Sequence, residues 1–412
     1  MTDTSNAPGR SPARAVGALL AMAVGAFCFV AMETLPVGLL PLIAGEFQVS
    51  LPNAGLLVTG YGLTVAIMSV PLAYATGRVP RRLLLSVLLG VFVVATLASA
   101  AAASFTVLLA ARVAVALSQS VFWAIVGPAA ASLFSVEVRG RAAATVFSGS
   151  ALAPMLGVPA GTWLGQQAGW RAAFFGLAAV GLLAFVLVAT LMPTSPVGQG
   201  HAASGTAPST RRYLLLVALT ILVIAGMFAC FTYTTPFITD VAGIPAAGVS
   251  LVLLLRGVVD LVGVILGGML VDRRPHLVMI GSVALTLVSL LGLWAFGPSP
   301  AATIAMLAVS GFALGAMSPA LTSRVLEVAP GNSDLASAGN SAAFNLGIAG
   351  GSAVGGLALG LSGLRATALV GGLLVVASLV LAVVDPALAR ADRRRESDPA
   401  PAPAAALTAD TR

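Results

Sequence analysis

The sequence contains no lysine. A Walker-type phosphate loop ends its glycine-rich run on one, so nucleotide hydrolysis by that route is excluded. Histidine occurs only at His201 and His276, both in polar stretches between apolar runs. A Ser–His hydrolase or a histidine-held metal inside those runs is therefore not expected, and no cofactor motif is present. Cys28 and Cys230 lie far apart within apolar runs, with no CxxC. They read as small buried hydrophobes, not as a disulfide framework. Charge is also scarce. Only 8% of residues are charged, against about 25% in soluble domains, which excludes a soluble protein.

What fills the chain instead is apolar: 58% of residues are hydrophobic. Runs of about 20 apolar residues suffice to cross a bilayer as helices. Twelve occur, at 15–42, 53–76, 83–102, 105–130, 142–165, 170–192, 213–238, 247–270, 277–296, 301–324, 335–360 and 365–386. They are too long and too uniformly apolar for the alternating strands of a membrane β-barrel. The lipid bilayer is thus the first partner implied.

The net charge of +7 comes from arginine alone. These arginines are scattered over short loops, a pattern that reads as membrane topology and not as a nucleic-acid surface. With a cytoplasmic N-terminus, Arg78, Arg81, Arg82, Arg211, Arg212, Arg273, Arg274, Arg324 and the 390–395 cluster all fall inside, while Arg171 and Arg365 fall at outer ends. That bias predicts an even number of spans and two cytoplasmic termini. The polar residues 1–14 are expected to form a disordered tail, and so are residues 388–412. The first apolar run lacks a small-residue cleavage site and reads as a retained span.

A Pro-, Gly- and Ser-rich stretch, 193–212, separates two sets of six runs, 15–192 and 213–387. The halves repeat. "TGRVPRR" ends the second run and "VDRRP" the eighth; "GWRA" opens the sixth and "GLRA" the twelfth. Small residues recur every four positions in the fifth run (Gly149, Ala153, Gly157, Gly161, Gly165) and in the eleventh (Gly339, Ala343, Gly347, Gly351, Gly355). Such ladders let helix backbones approach closely in lipid. The fold expected is an all-α membrane protein: twelve transmembrane helices in two pseudo-symmetric six-helix bundles. Parallel repeats of six spans are a transporter architecture with the substrate site between the halves.

At this point the chain resembles the major facilitator superfamily, from about Val16 to Pro386. "ATGRVPRR" is similar to its cytoplasmic signature G-x-L-a-D-R-x-G-R-R at Arg78, Arg81 and Arg82, with Gly77 in place of the aspartate and Pro80 in place of the second glycine. The second copy, "GMLVDRR", keeps Gly268, Leu270, Asp272 and Arg273. "GSALAPMLGV" resembles the fifth-span antiporter motif G-x-x-x-G-P-x-x-G-G at Gly149, Pro154 and Gly157, with Ala153 and Val158 substituted. "ETLPVGLLPLIA", "LGVPAGTWLGQQAGWRAAFF" and "SAAFNLGIAGG" are similar to the sugar- and arabinose-efflux permease branch of the bacterial drug:proton antiporters. The resemblance implies the major facilitator fold, no enzymatic activity, export driven by protons, and a place in the bacterial inner membrane.

Four ionisable residues lie well inside predicted spans: Glu33, Arg112, Arg256 and Asp260. Each costs about 2.5–3.5 kcal/mol at a helix centre, so such residues face a protein interior or a wet cavity and are functional by default. Stepping 100° per residue, Gln119 and Trp123 flank the face of Arg112. Arg112 either braces backbone carbonyls or responds to the protonation of a nearby acid. That acid is Glu33, the only one within the spans of the first bundle. A glutamate exposed alternately to two sides can bind and release a proton, or meet a cationic substrate; a structural hydrogen bond beside the Pro36 kink is the plain alternative. Arg256 and Asp260, four residues apart, share a helix face and can pair. Proton coupling is thus assigned to Glu33, Arg112 and Asp260, and the cavity lining to Glu33, Tyr61, Gln119, Trp123, Tyr233, Arg256 and Asn345.

The expected function is export of a small organic molecule in exchange for protons, by a monomer working by alternating access. Proton-coupled uptake on the same fold stays open, as does a non-transporting membrane sensor.

Overall fold

The computed structural model describes residues 12–134, 138–193, 207–271, 273–330 and 333–397. The first half holds α1 (Pro12–Phe47), α2 (Leu51–Thr76), α3 (Arg81–Ala100), α4 (Phe105–Ala131), α5 (Arg139–Leu152), α6 (Val158–Ala168) and α7 (Trp170–Leu191). The second holds α8 (Thr210–Phe231), α9 (Thr234–Pro236), α10 (Ala246–Val271), α11 (Pro275–Phe296), α12 (Pro300–Val328), α13 (Ser333–Ser362) and α14 (Leu364–Ser397). Four helices start on a serine cap. Ser50, Ser104, Ser209 and Ser299 each accept the amide of the residue three positions on, satisfying a donor that the first turn leaves free.

Eleven of these helices, among the described residues, are long and apolar enough to cross a membrane. The fifth apolar run does not form one uninterrupted helix, a departure from the twelve uniform spans expected. It consists of α5 and α6 joined by a π-helical turn at Ala153–Gly157. Pro154 and Pro159 have no N–H for the carbonyls of Ser150 and Met155, so the regular ladder cannot pass through. The amide of Val158 reaches back five residues to the Ala153 carbonyl instead. The seventh run also breaks, between Thr232 and α9. At the other end of the second half, α14 continues to Ser397, past the expected boundary at 387.

Each half has its own apolar core. One is built from residues of α1 to α7 around Phe29, Phe92, Phe122 and Phe174. The other is built from α8 to α14, with Val37, Val58 and Val158 contributed by the first half. The glycine ladders explain the register inside each half. A side-chain carbon placed on Gly149 would meet the Ala23 carbonyl at 2.0 Å; Gly161 and Gly165 face Leu35 and Leu39. In the second half Gly347, Gly351 and Gly355 face Ile221, Ala225 and Ala229. Every one of these partners lies 126 positions before its glycine. Two parallel helix pairs, α1 with α5–α6 and α8 with α13, are therefore packed in the same register. The repeat extends to Gly169 and Gly363, which open α7 and α14 with the same φ of 82°, a conformation that favours glycine.

The halves meet along two further lines. α2 crosses α13, where Gly62 lies against the backbone of Asn345 and Ala349. α10 crosses the π turn, where Gly257 lies against Pro154 and Met155.

Candidate functional site

α1 carries Pro36 and Pro41 inside its span. Neither can donate to the carbonyl four residues earlier, so Met32 and Val37 each lose their helical partner. Both carbonyls are taken up from outside the helix. Arg112 of α4 donates from Nη1 to the Met32 carbonyl at 2.9 Å, from Nη2 to the Glu33 carbonyl at 3.2 Å and from Nε to the Leu57 carbonyl at 3.1 Å. Thr235 of α9 donates from Oγ1 to the Val37 carbonyl at 2.7 Å. The first repair knits α1, α2 and α4; the second joins the two halves.

Beside Arg112 the side chains form a directed chain of bonds. The Tyr61 hydroxyl donates to Gln119 Oε1 at 2.6 Å, and Gln119 Nε2 donates to Glu33 Oε2 at 2.8 Å. The Arg112 guanidinium lies 5.0 Å from the centre of the Tyr61 ring. All four side chains are buried, with Glu33 the most accessible at 9%. Tyr61 fixes the amide orientation of Gln119, and that makes Glu33 Oε2 an acceptor. Oε1 is buried without a hydrogen-bond partner. Arg112 is spent on main-chain carbonyls and forms no ion pair with the Glu33 carboxylate. The structure therefore brings Glu33, Tyr61, Gln119 and Arg112 together, with the arginine in its bracing arrangement.

Trp123 is not part of this group. It stacks on Phe147 of α5 with ring centres 5.9 Å apart. Tyr233 likewise does not face an open cavity. It is 1% exposed and donates to the Ser352 carbonyl at 3.0 Å, while Ser352 Oγ donates to the Gly55 carbonyl at 3.1 Å. Gly55 and Gly356 leave the space its hydroxyl fills. With Thr235 on Val37, and Gln166 on the Ala246 carbonyl at 2.7 Å, these contacts form a seam. It closes the halves at the end of the bundle away from the chain termini. Asn345 sits where α13 crosses α2, donating to the Ser341 carbonyl of its own helix while its Oδ1 has no partner.

Arg256 and Asp260 are both buried on α10, yet they do not close into an ion pair. Arg256 instead stacks on Phe231, 4.0 Å from the ring centre, and turns Nε towards Ser310 Oγ at 3.4 Å. Arg256 Nη2 and Asp260 Oδ1 are left without partners. The ring of Phe231 on α8 takes the guanidinium face, a contact that sequence spacing does not show.

The loop motifs are resolved in part. Arg81 donates to the Pro128 carbonyl at 2.8 Å and Arg82 to the Ala189 carbonyl at 3.1 Å, tying α3 to α4 and α7. Arg78 and Arg273 are exposed, Gly268 faces open space, and Asp272 lies outside the described residues.

One cluster went unread in the sequence. The Asp385 carboxylate of α14 is fully buried between Arg212 Nε at 3.2 Å, Arg324 Nη2 at 2.6 Å and His276 Nδ1 at 3.3 Å. Glu327 pairs with Arg324 and lies 3.9 Å from Arg212. Four helices of the second half are thus tied together at the terminal side. Both arginines read as topology signals in the sequence, and nothing there singles out the aspartate.

Among known proteins, the Major Facilitator Superfamily profile matches residues 22–252 and again 216–409. An uncharacterised MFS-type transporter of Bacillus subtilis, YtbD, is 36% identical over 379 residues, covering 89% of this chain and 94% of that one. A probable sugar efflux transporter of Mannheimia succiniciproducens is 33% identical over 365 residues, covering 88% and 92%. In fold the chain is similar to a bacterial homologue of the human lysosomal transporter Spinster in an inward-facing, unoccupied conformation, with a TM-score of 0.68 at 18% identity over 94% of this chain and 98% of that one. It is also similar to the human organic anion transporter MFSD10, with a TM-score of 0.63 at 16% identity over 90% and 100%. Repeated halves, matched ladders and full-length relatives agree: the chain belongs to the major facilitator superfamily, a family of membrane transporters and not of enzymes.

Proposed function

We propose that the protein exports a small organic solute in exchange for protons, with Glu33 as the proton-carrying group. The observation that carries this reading is the isolation of the Glu33 carboxylate. It is buried, one oxygen accepts from Gln119, the other has no partner, and the only nearby cation is occupied by carbonyls. A buried carboxylate that makes no ion pair is costly. A bound proton removes that cost, and its loss restores it, which suits Glu33 to carrying a proton between the two sides.

The interrupted fifth span crosses the membrane as a unit in this reading, completing twelve. Both termini lie in the cytoplasm of a bacterial cell, and the seam at Gly55, Tyr233, Thr235 and Ser352 is the outer closure. Alternating access opens that seam while the opposite ends approach. A proton gradient of ~150 mV supplies roughly 3.5 kcal/mol per proton, enough for roughly a 300-fold gradient of a neutral solute at one proton each. The antiporter-like fifth span and the sugar-efflux name of one relative favour export and make sugars the first solutes to try.

Everted vesicles from overproducing cells test this. Acidifying the lumen is expected to drive accumulation of a transported solute, and Glu33→Gln is expected to abolish it. Accumulation by intact cells instead would reverse the direction assigned.

A further inference from the structure

Between α11 and α14, at the terminal side of the second half, lies a groove of about 610 Å³ lined by His276, Leu277, Ile280, Gly281, Pro386 and Arg390. We propose that this groove binds the headgroup and upper chain of an anionic phospholipid. Three features support the assignment.

The first is charge. In the adjoining hub, two carboxylates, Asp385 and Glu327, meet two guanidinium groups, Arg212 and Arg324. The hub is balanced without Arg390, the cation that lines the groove. Arg390 is exposed there, and His276 turns Nδ1 towards Asp385 at 3.3 Å, leaving Nε2 on the other side of the ring. The residues entering α11, Asp272, Arg273 and Arg274, carry a net positive charge.

The second is shape. A side-chain carbon on Gly281 would meet nothing within 4 Å, so the groove wall is open at this point. Leu277 beside it is 59% exposed. The wall above Arg390 is therefore apolar, as an acyl chain requires.

The third is depth. His276 lies in the first turn of α11, and Arg390 stands four residues past the apolar run 365–386 of α14. Both stand where a span leaves the hydrocarbon, at headgroup level. Basic pockets between helices at that level recognise anionic headgroups. The orientation proposed above decides only which leaflet supplies the lipid, so the binding test is independent of transport.

The test uses the purified full-length protein in detergent, with phosphatidylglycerol, phosphatidylcholine or inorganic phosphate added and retained lipid counted by native mass spectrometry. Phosphatidylglycerol is expected to bind and phosphatidylcholine to bind at least fivefold more weakly. Arg390→Gln is expected to weaken phosphatidylglycerol about fivefold, the worth of one cation at the membrane surface. Gly281→Leu fills the open wall without changing charge and is expected to weaken it comparably. Both positions face outward, so the variants keep the wild-type elution profile. Equal retention by wild type and both variants would overturn the proposal. So would equal binding of the two lipids, or displacement of phosphatidylglycerol by millimolar phosphate, which would make the groove a free-anion site.

Discussion

Pro36 withholds an N–H from the Met32 carbonyl, and Arg112 supplies the donor that is missing. The pair is therefore one structural device. Arg112→Lys offers a single ammonium where three carbonyls are bound, and we expect it to cost about 2–4 kcal/mol. Pro36→Ala restores the helical donor and is expected to recover about 1 kcal/mol of that loss. Unfolding midpoints of the two single mutants and the double mutant measure the coupling; strictly additive effects would contradict the account. At this scale the sequence is partly legible. Helical spacing places Gln119 beside Arg112, and both are found there. The same spacing does not show that the Gln119 amide reaches across to Glu33, because that contact depends on how two helices pack. Nor does it show that Trp123 stacks on Phe147 or that Arg256 stacks on Phe231.

The elements are held by close approach. Gly149 and Gly351 touch backbone carbonyls, at 2.0 and 2.2 Å from the position of an added carbon, whereas Gly157 meets only side chains at 3.0 Å and beyond. Gly149→Ala and Gly351→Ala are therefore expected to destabilise by about 1–3 kcal/mol, and Gly157→Ala by less. Gly157→Leu should block folding or transport. Thermal unfolding of the series decides; the reverse order would show that the ladders do not set the helix spacing. The seam yields a second prediction. Thr235→Val and Ser352→Ala each remove one hydrogen bond between halves, worth about 1 kcal/mol. Together they are expected to raise the open fraction at that end at least tenfold, read as faster labelling of a cysteine placed at the buried Ala54. The ladders were visible in the sequence because their period is short and local. The π turn was not, although both its prolines were in view, because hydropathy runs unbroken through it.

At the scale of the molecule, the two halves share a repeat but not their fastenings. Arginine-to-carbonyl bonds tie α3 to α4 and α7 in the first half, and the Asp385 hub ties α8, α11, α12 and α14 in the second. Asp385→Asn leaves two buried guanidinium groups facing a neutral amide, and the expected loss is about 3–5 kcal/mol, measured as a lowered unfolding midpoint. The sequence reveals the bundle, the repeat and the family because these rest on composition and period. It conceals the hub because its members are separated by up to 173 positions, and nothing local marks them as neighbours. The central claim is that Glu33 couples solute movement to protons without being needed for solute passage itself. Proteoliposomes separate the two: counterflow of a transported solute needs no gradient, whereas uphill transport does. Glu33→Gln is expected to retain counterflow and to lose transport driven by a proton gradient. Gradient-driven transport at the wild-type rate by this mutant would contradict the account.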